Sequence, residues 1–298
     1  MEGQATYWFV FIGNALLLEH DDSGYHVPCM TEAPFPLKEW TPRQELPPLN
    51  GHPCMAYSLN TPPTDMKGMV TVGLRESWAL LPRAFYNVAG KASELLYWDS
   101  NTRYCGVCGA PMKRATTSPP EWHPSRRGVC GAPMKRATTI SKQCTNCGKE
   151  VWPQVSPAII VRIRRGDDIL LVHAKNFRRS EMYGLVAGFV ETGETLEQCV
   201  KREVAEEVGL EITNIRYFGS QPWPYPCGIM IGFTADYVKG EVHVQEEELS
   251  NAGWFNRDHL PPIPDKMSIA RKLIDDYIEE ERPDKEKEVQ QSTKTEKK

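Results

Sequence analysis

The sequence predicts an α/β protein in which a mixed sheet and its helices follow a cysteine-rich stretch and an N-terminal α+β region. Three observations carry this reading. From residue 158 onward, β-branched runs alternate with one well-marked helix, the pattern of packed strand and helix layers. Two Cys-x-x-Cys pairs stand just before that alternation. The length of 298 residues suits about two domains.

The composition is that of a soluble globular chain, 40% hydrophobic and 25% charged. A net charge of −4 argues against a broadly basic nucleic-acid-binding surface and leaves room for a local basic patch. The first apolar run, Tyr7 to Leu18, has no basic residues before it and no small-residue cleavage site after it, so it does not read as a secretory signal. It is also shorter than the ~20 residues a bilayer demands. Gly13-Asn14 in its middle predicts a β-hairpin. No membrane contact and a cytoplasmic location are expected.

A strand is expected at Met69 to Leu74 and a helix at Pro82 to Trp98. Strands at Ala158 to Ile163 and Asp168 to Val172 join through the turn Arg165-Gly166-Asp167. A helix follows from Thr195 to Val208, then strands at Ile215 to Phe218, Met230 to Tyr237 and Glu241 to Val244, and a last helix from Ser268 to Glu280. Residues 281–298 are charged and polar without apolar period, which predicts a disordered tail. The expected division is 1–100 as an N-terminal domain, 101–153 as a cysteine ribbon, 154–280 as the α/β domain and 281–298 as the tail.

The helix from Thr195 carries the chemistry. Thr195 and Gln198 form a capping box, and Gly209 stands where a C′ glycine ends a helix. Residues three and four apart are neighbours, so Glu203, Glu206 and Glu207 share one face beside an apolar stripe of Leu196, Val200, Val204 and Val208. Three carboxylates so close repel one another unless a cation sits among them. Hard divalent ions, Mg²⁺ or Mn²⁺, prefer oxygen ligands and link carboxylates to substrate phosphates. Arg202 can hold a carboxylate through its guanidinium fork. A solvated acidic helix face is the commoner meaning of such a run; Gly188, Glu191-Thr192-Gly193 and Glu194 at fixed spacing favour the metal site.

Cys105-x-x-Cys108 and Cys144-x-x-Cys147 have the form of two knuckles of a structural Zn²⁺ site. Thirty-five residues separate the pairs, against an ordinary ribbon spacing of 13 once a 22-residue duplication is removed. That duplication repeats GVCGAPMKRATT at 106–117 and 128–139, with Arg127 where the first copy has Cys105. The extra stretch is expected to bulge out, at a closure cost under ~1 kcal/mol. Cys130 could compete with Cys108. Cys29, Cys54, Cys199 and Cys227 are read as free thiols.

Taken together, GFVETGETLEQCVKREVAEEVGL at 188–210, the cysteine pairs and Ser220-Gln221-Pro222-Trp223-Pro224-Tyr225-Pro226 make the sequence similar to the NADH pyrophosphatase family of Nudix hydrolases. The resemblance implies a Nudix α/β/α sandwich with a mixed sheet, preceded by a zinc ribbon and an N-terminal domain. It implies metal-dependent hydrolysis of the pyrophosphate of NADH or NAD to NMNH or NMN and AMP, and a homodimer. Removal of NAD caps from RNA is compatible with it, and Lys113, Arg114, Lys135 and Arg136 could help to hold that RNA. It further implies that the Ala187 carbonyl and Glu248 join the three glutamates as metal ligands, with Glu207 or Glu206 deprotonating the water. Gln221 to Pro226, Cys227, Gly228 (where the family motif has Ser), Ala270, Trp152 and Arg75 are then substrate-binding positions. Three prolines stiffen the 220–226 segment, which reads as a loop presenting two rings for stacking or capping a core. Other readings stay open: a Nudix hydrolase of ADP-ribose or a diadenosine polyphosphate, or a non-catalytic nucleotide sensor.

Overall fold

A computed structural model describes residues 4–37, 41, 43–66, 68–114, 141–175 and 181–280. The second repeat copy, Cys130, Lys135, Arg136 and the 281–298 tail lie outside the described residues. The chain divides into two compact units, Met1–Val155 with Pro224–Cys227, and Ser156–Trp223 with the chain from Gly228 onward. Among the described residues, no helix is long and apolar enough to cross a membrane.

The first unit opens with the expected hairpin. Strands β1 (Thr6–Ile12) and β2 (Ala15–Asp21) pair antiparallel at Ile12 and Ala15, across Gly13 with φ 58°. The sheet then adds β3 (Gly24–His26), β4 (Cys29–Met30), β5 (Arg43–Leu49), β6 (His52–Leu59) and β7 (Met69–Gly73). Its strand order is β3-β2-β1-β6-β5, with β4 on β1 and β7 on β2; β1 and β6 are parallel. One face buries Trp8, Val10, Leu17, Tyr57 and Met69. Helix α1 (Arg83–Asn101), which follows a 3₁₀ turn at Glu76–Ala79, contacts β1, β5 and β6, and its Phe85 ring meets Tyr7 edge-on at 5.0 Å.

On α1, burial pushes the Glu94 carboxyl up from 4.5 to about 7 against the pull of Lys91. A carboxyl raised in the folded state stabilises the fold fully below pH ~4.5 and loses that contribution as pH rises toward 7. Glu94→Gln is therefore expected to leave stability unchanged at pH 4.5 and to add about 1 kcal/mol at pH 8, after discounting for solvent screening. Urea melts across that pH range measure the difference; a constant offset would contradict the assignment.

The ribbon consists of β8 (Met112–Arg114), β9 (Lys142–Cys144) and β10 (Glu150–Val151), ordered β10-β9-β8. Met112 faces Cys144 and Arg114 faces Lys142 although 27 residues separate the two strands. Buried Lys142 ties the ribbon to α1, with Nζ 2.9 Å from the Asp99 carboxylate and donating to the Asp99 carbonyl at 2.7 Å.

The second unit is a mixed six-stranded sheet: β11 (Ser156–Arg165), β12 (Asp168–Ala174), β13 (Val186–Phe189), β14 (Glu211–Trp223), β15 (Gly228–Lys239) and β16 (Leu249–Asn256). The order is β14-β15-β11-β12-β16, with β13 on β11; only β11 and β15 run parallel. β11 buries apolar residues on both faces because a helix covers each. Ile159, Val161 and Ile163 pack with Val200, Val204 and Val208 of α2 (Leu196–Val208), while Ile160 packs with Leu273 and Ile274 of α3 (Ile269–Glu279). Past the end of α3, Glu280 is gripped by Arg162 and Arg164, each at 2.7 Å, and its carbonyl accepts from Arg257.

Two sequence expectations are corrected. Glu241–Val244 forms no strand. Gly240, at φ 114°, turns the chain out of the sheet, and the His243 and Gln245 amides donate to the Val208 and Glu207 carbonyls at the end of α2. Ser220–Trp223 is not loop but the last stretch of β14, with Pro222 opposite Ile229. β14 is an edge strand, where a residue without an N–H breaks no inner ladder.

Candidate active site

The local sequence builds α2 as expected. The Thr195 hydroxyl accepts from the Gln198 amide at 3.2 Å, the Gln198 side chain accepts from the Thr195 amide at 2.7 Å, and Gly209 closes the helix at φ 69°. Packing of Leu196, Val200, Val204 and Val208 on the sheet sets the rotation of the helix, which buries Glu203 and Glu207, while the Glu206 side chain stays 53% exposed.

Arg202 organises the carboxylates. Its Nε and Nη2 clasp Glu194 at 3.0 and 2.7 Å, Nη1 donates to Glu203 at 2.9 Å and to Glu206 at 3.0 Å, and Nη2 also donates to the Phe189 carbonyl at 3.0 Å. Hydrogen bonds from Arg202, then from the Glu191 amide, bring Glu194 down to about 2. Glu194 is thus a permanent anion that holds the guanidinium in place.

Glu207 behaves in the opposite way. Burial, then the charges of Glu203 and Glu248, push its carboxyl up to about 8, against a hydrogen bond from the Ala187 backbone. Glu203 is also raised, by burial first, with Glu206 and Glu248 adding to it. Of the acidic run 246–248, Glu248 is the residue whose charge reaches both Glu203 and Glu207. Its turn is held by Gln245, whose amide bonds the Glu207 carbonyl, and by the Lys175 amide, which donates to the Glu248 carbonyl at 2.9 Å.

Gly188 explains itself here. A Cβ at that position would lie 2.0 Å from the Glu203 carboxyl carbon, so the bare backbone of β13 makes room for the acid. A buried acidic set with one shared arginine fits a divalent cation that neutralises what the protein leaves uncompensated. Among the described residues, the glutamate oxygens do not converge as closely as the cysteine sulfurs do.

The other candidate positions fall in both units. In the second, the buried Gln221 donates to the Met267 carbonyl at 2.9 Å, just before α3, and Ala270 is buried in the first turn of that helix. Pro222 is exposed and Trp223 half-buried. Gly228 sits opposite Trp223 and beside Ser156, and a Cβ there would approach the Trp223 carbonyl to 3.2 Å. In the first unit, Pro224 lies against Gly90 of α1, where a Cβ would come within 3.2 Å of it. The Tyr225 and Tyr86 hydroxyls bond at 2.8 Å, and burial holds the Tyr225 phenol far above its usual range. Tyr225 is therefore anchored rather than freely presented. Pro226 is exposed and Cys227 half-buried. Arg75 precedes the 3₁₀ turn, and its charge acts on Tyr225. Trp152, between β10 and β11, is 47% exposed. Phe189, which the sequence reading passed over, is 66% exposed beside Gly188; an apolar residue directly after the glycine was the available signal.

The four ribbon cysteines converge. All four sulfurs lie within 4.8 Å of one another, Cys105 to Cys147 at 3.7 Å and Cys108 to Cys144 at 3.5 Å. Backbone amides of Val107, Asn146 and Cys147 donate to the Cys105 and Cys144 sulfurs at 3.4 Å, and hydrogen bonding, led by the Ala110 amide, lowers the Cys108 thiol to about 6. Cys29, Cys54, Cys199 and Cys227 are free thiols.

The NUDIX domain family matches residues 153–277, and the family described as NADH pyrophosphatase-like rudimentary NUDIX domain matches residues 5–98. The α/β/α layering and the acidic helix thus define a NUDIX hydrolase. The NAD-capped RNA hydrolase NudC of Pseudomonas aeruginosa (strain LESB58) is 39% identical over 252 residues, 82% of this chain and 82% of that protein. That of Stutzerimonas stutzeri (strain A1501) is 36% identical over 266 residues, 87% of this chain and 85% of that protein. A crystal structure of a NUDIX hydrolase from Nitrosomonas europaea aligns with a TM-score of 0.45 at 19% identity, over 59% of this chain and 90% of that one. Within the NUDIX hydrolases, this chain belongs to the NADH pyrophosphatase family that includes the NudC proteins.

Proposed function

We propose that the chain hydrolyses the pyrophosphate of NADH and NAD, giving AMP with NMNH or NMN, and removes NAD caps from RNA. The observation that carries this reading is the buried Glu203–Glu207 pair, coupled to Glu248 and organised by Arg202 under a glycine that leaves it room. The names of the relatives support the substrate.

Glu203, Glu206, Glu207, Glu248 and the Ala187 carbonyl would hold Mg²⁺ or Mn²⁺. When bound, such ions supply neutralisation of the pyrophosphate and a polarised water. With the ions bound, Glu207 would be held ionised and would accept the proton of a water whose oxygen bonds to one phosphorus. The bridging P–O bond breaks, and the leaving phosphate departs with the electron pair. Arg202 keeps Glu203 and Glu206 oriented throughout. The candidate substrate-binding positions are Arg75, Trp152 and Pro224 to Cys227 in the first unit, and Gln221 to Trp223, Gly228 and Ala270 in the second.

We assign Zn²⁺ to the four cysteines. With Zn–S bonds of ~2.3 Å, tetrahedral sulfurs stand ~3.8 Å apart, close to the 3.5 and 3.7 Å separations found. A cytoplasmic protein acting as a homodimer completes the reading.

Incubation with Mg²⁺ or Mn²⁺ and NADH, NAD, ADP-ribose, a diadenosine polyphosphate or NAD-capped RNA, with products separated by chromatography, tests it. NMNH and AMP in equal amounts from NADH are expected. Turnover confined to ADP-ribose or the diadenosine compound would replace the substrate assignment, and no turnover at all would favour a nucleotide sensor.

A further inference from the structure

The charge of the ribbon is opposite to that of the chain. Its described residues, 101–114 and 141–153, contain five basic residues and one acid, Glu150, within a protein of net charge −4. Lys142 is neutralised by Asp99, and Glu150 accepts from Ser141. Arg103, Lys113 and Lys149 are exposed and have no carboxylate partner among the described residues.

These three cations stand on one short scaffold. The Met112 amide donates to the Arg103 carbonyl at 2.8 Å, and the Cys144 amide donates to the Lys149 carbonyl at 2.8 Å. Met112 and Cys144 are themselves ladder partners. Tyr104, bridged to Pro111 and 68% exposed, and Val107, 69% exposed, add open apolar surface on the first knuckle. Cations without a carboxylate partner among the described residues, and an exposed aromatic ring on the same short backbone scaffold, meet the two needs of single-stranded nucleic acid, phosphate neutralisation and base stacking.

We propose that the ribbon surface formed by Arg103, Tyr104, Lys113 and Lys149 binds the phosphodiester chain of single-stranded RNA. The biological meaning rests on the proposed activity toward capped RNA, and the surface would engage the body of that transcript. NADH has no such body, so the surface separates the two substrates.

The test uses the full zinc-loaded chain and a fluorescent, uncapped 20-nucleotide RNA without divalent ions, read by anisotropy, with polyglutamate as the competing polyanion. The triple variant Arg103→Glu, Lys113→Glu, Lys149→Glu is expected to bind RNA at least about 10-fold more weakly, with a log–log salt slope shallower by ~2. Tyr104→Ala is expected to lose about 5-fold toward RNA and nothing toward polyglutamate. On NAD-capped RNA the triple variant should lose kcat/KM in proportion, with NADH turnover unchanged. Unchanged RNA affinity in the triple variant overturns the proposal. So does an equal loss of NADH turnover, or polyglutamate binding that depends on Tyr104 as RNA binding does. Because the RNA is uncapped, a failure of the pyrophosphatase reading would appear separately, as absent hydrolysis with binding intact.

Discussion

Glu207→Gln is expected to cut turnover of NADH by roughly 10³-fold or more, with the protein still folded. Glu207 is 3% exposed and lies in the field of Glu203 and Glu248. An amide of the same shape keeps the packing and removes both the base and a metal ligand. In metal-free protein the variant should gain stability at pH 8 relative to wild type. A carboxyl raised to about 8 withdraws stability as pH climbs from 4.5 toward 8, and an uncharged amide does not. Glu206→Gln is the control for the pH-dependent stability alone, since Glu206 is exposed and shares Arg202. Chromatographic assay of AMP release with circular dichroism at each pH decides the matter; an active Glu207→Gln enzyme would refute the assignment.

Cys144→Ser is expected to empty the ribbon of its zinc and unfold it. Cys144 is 4% exposed and lies 3.5 Å from Cys108. A hydroxyl keeps the volume but is a far poorer zinc ligand. Metal analysis should find one zinc per wild-type chain and essentially none in the variant. Structural zinc carries much of the folding free energy of small ribbons. The anchoring of Lys142 to Asp99 extends the damage into α1, so a fall in Tm of roughly 10 °C is expected for a loss of 3–5 kcal/mol. Equal zinc content in both proteins would disprove the four-cysteine site.

How much of this was legible beforehand follows from the range of each interaction. α2 was readable to within a residue because its cap, stop glycine and apolar stripe are all local signals. Glu241–Val244 misled because Val242 and Val244 pack on the same core as α2, and alternating burial against a helix looks like a strand. Ser220–Trp223 was read as loop because prolines usually exclude a strand, and its edge position is a tertiary fact. The need for Gly188 depends on where the Glu203 carboxylate comes to rest, fifteen positions later, and no local pattern encodes that. The N-terminal sheet, with its parallel β1–β6 pairing, is set by partners far apart in the chain. The basic ribbon was partly legible, since Lys113 and Arg114 stood out as candidates to hold RNA despite a net charge of −4; that Arg103 and Lys149 join them depends on folded contacts.

The register between Met112 and Cys144 has one more consequence. The two strands close on each other through the sulfur cluster and the ladder, whatever the contour length between them. That junction is expected to tolerate added sequence, so a reporter or affinity module spliced between Arg114 and Lys142 should leave the NADH chemistry untouched. An internal tandem duplication has already placed 22 extra residues in that stretch.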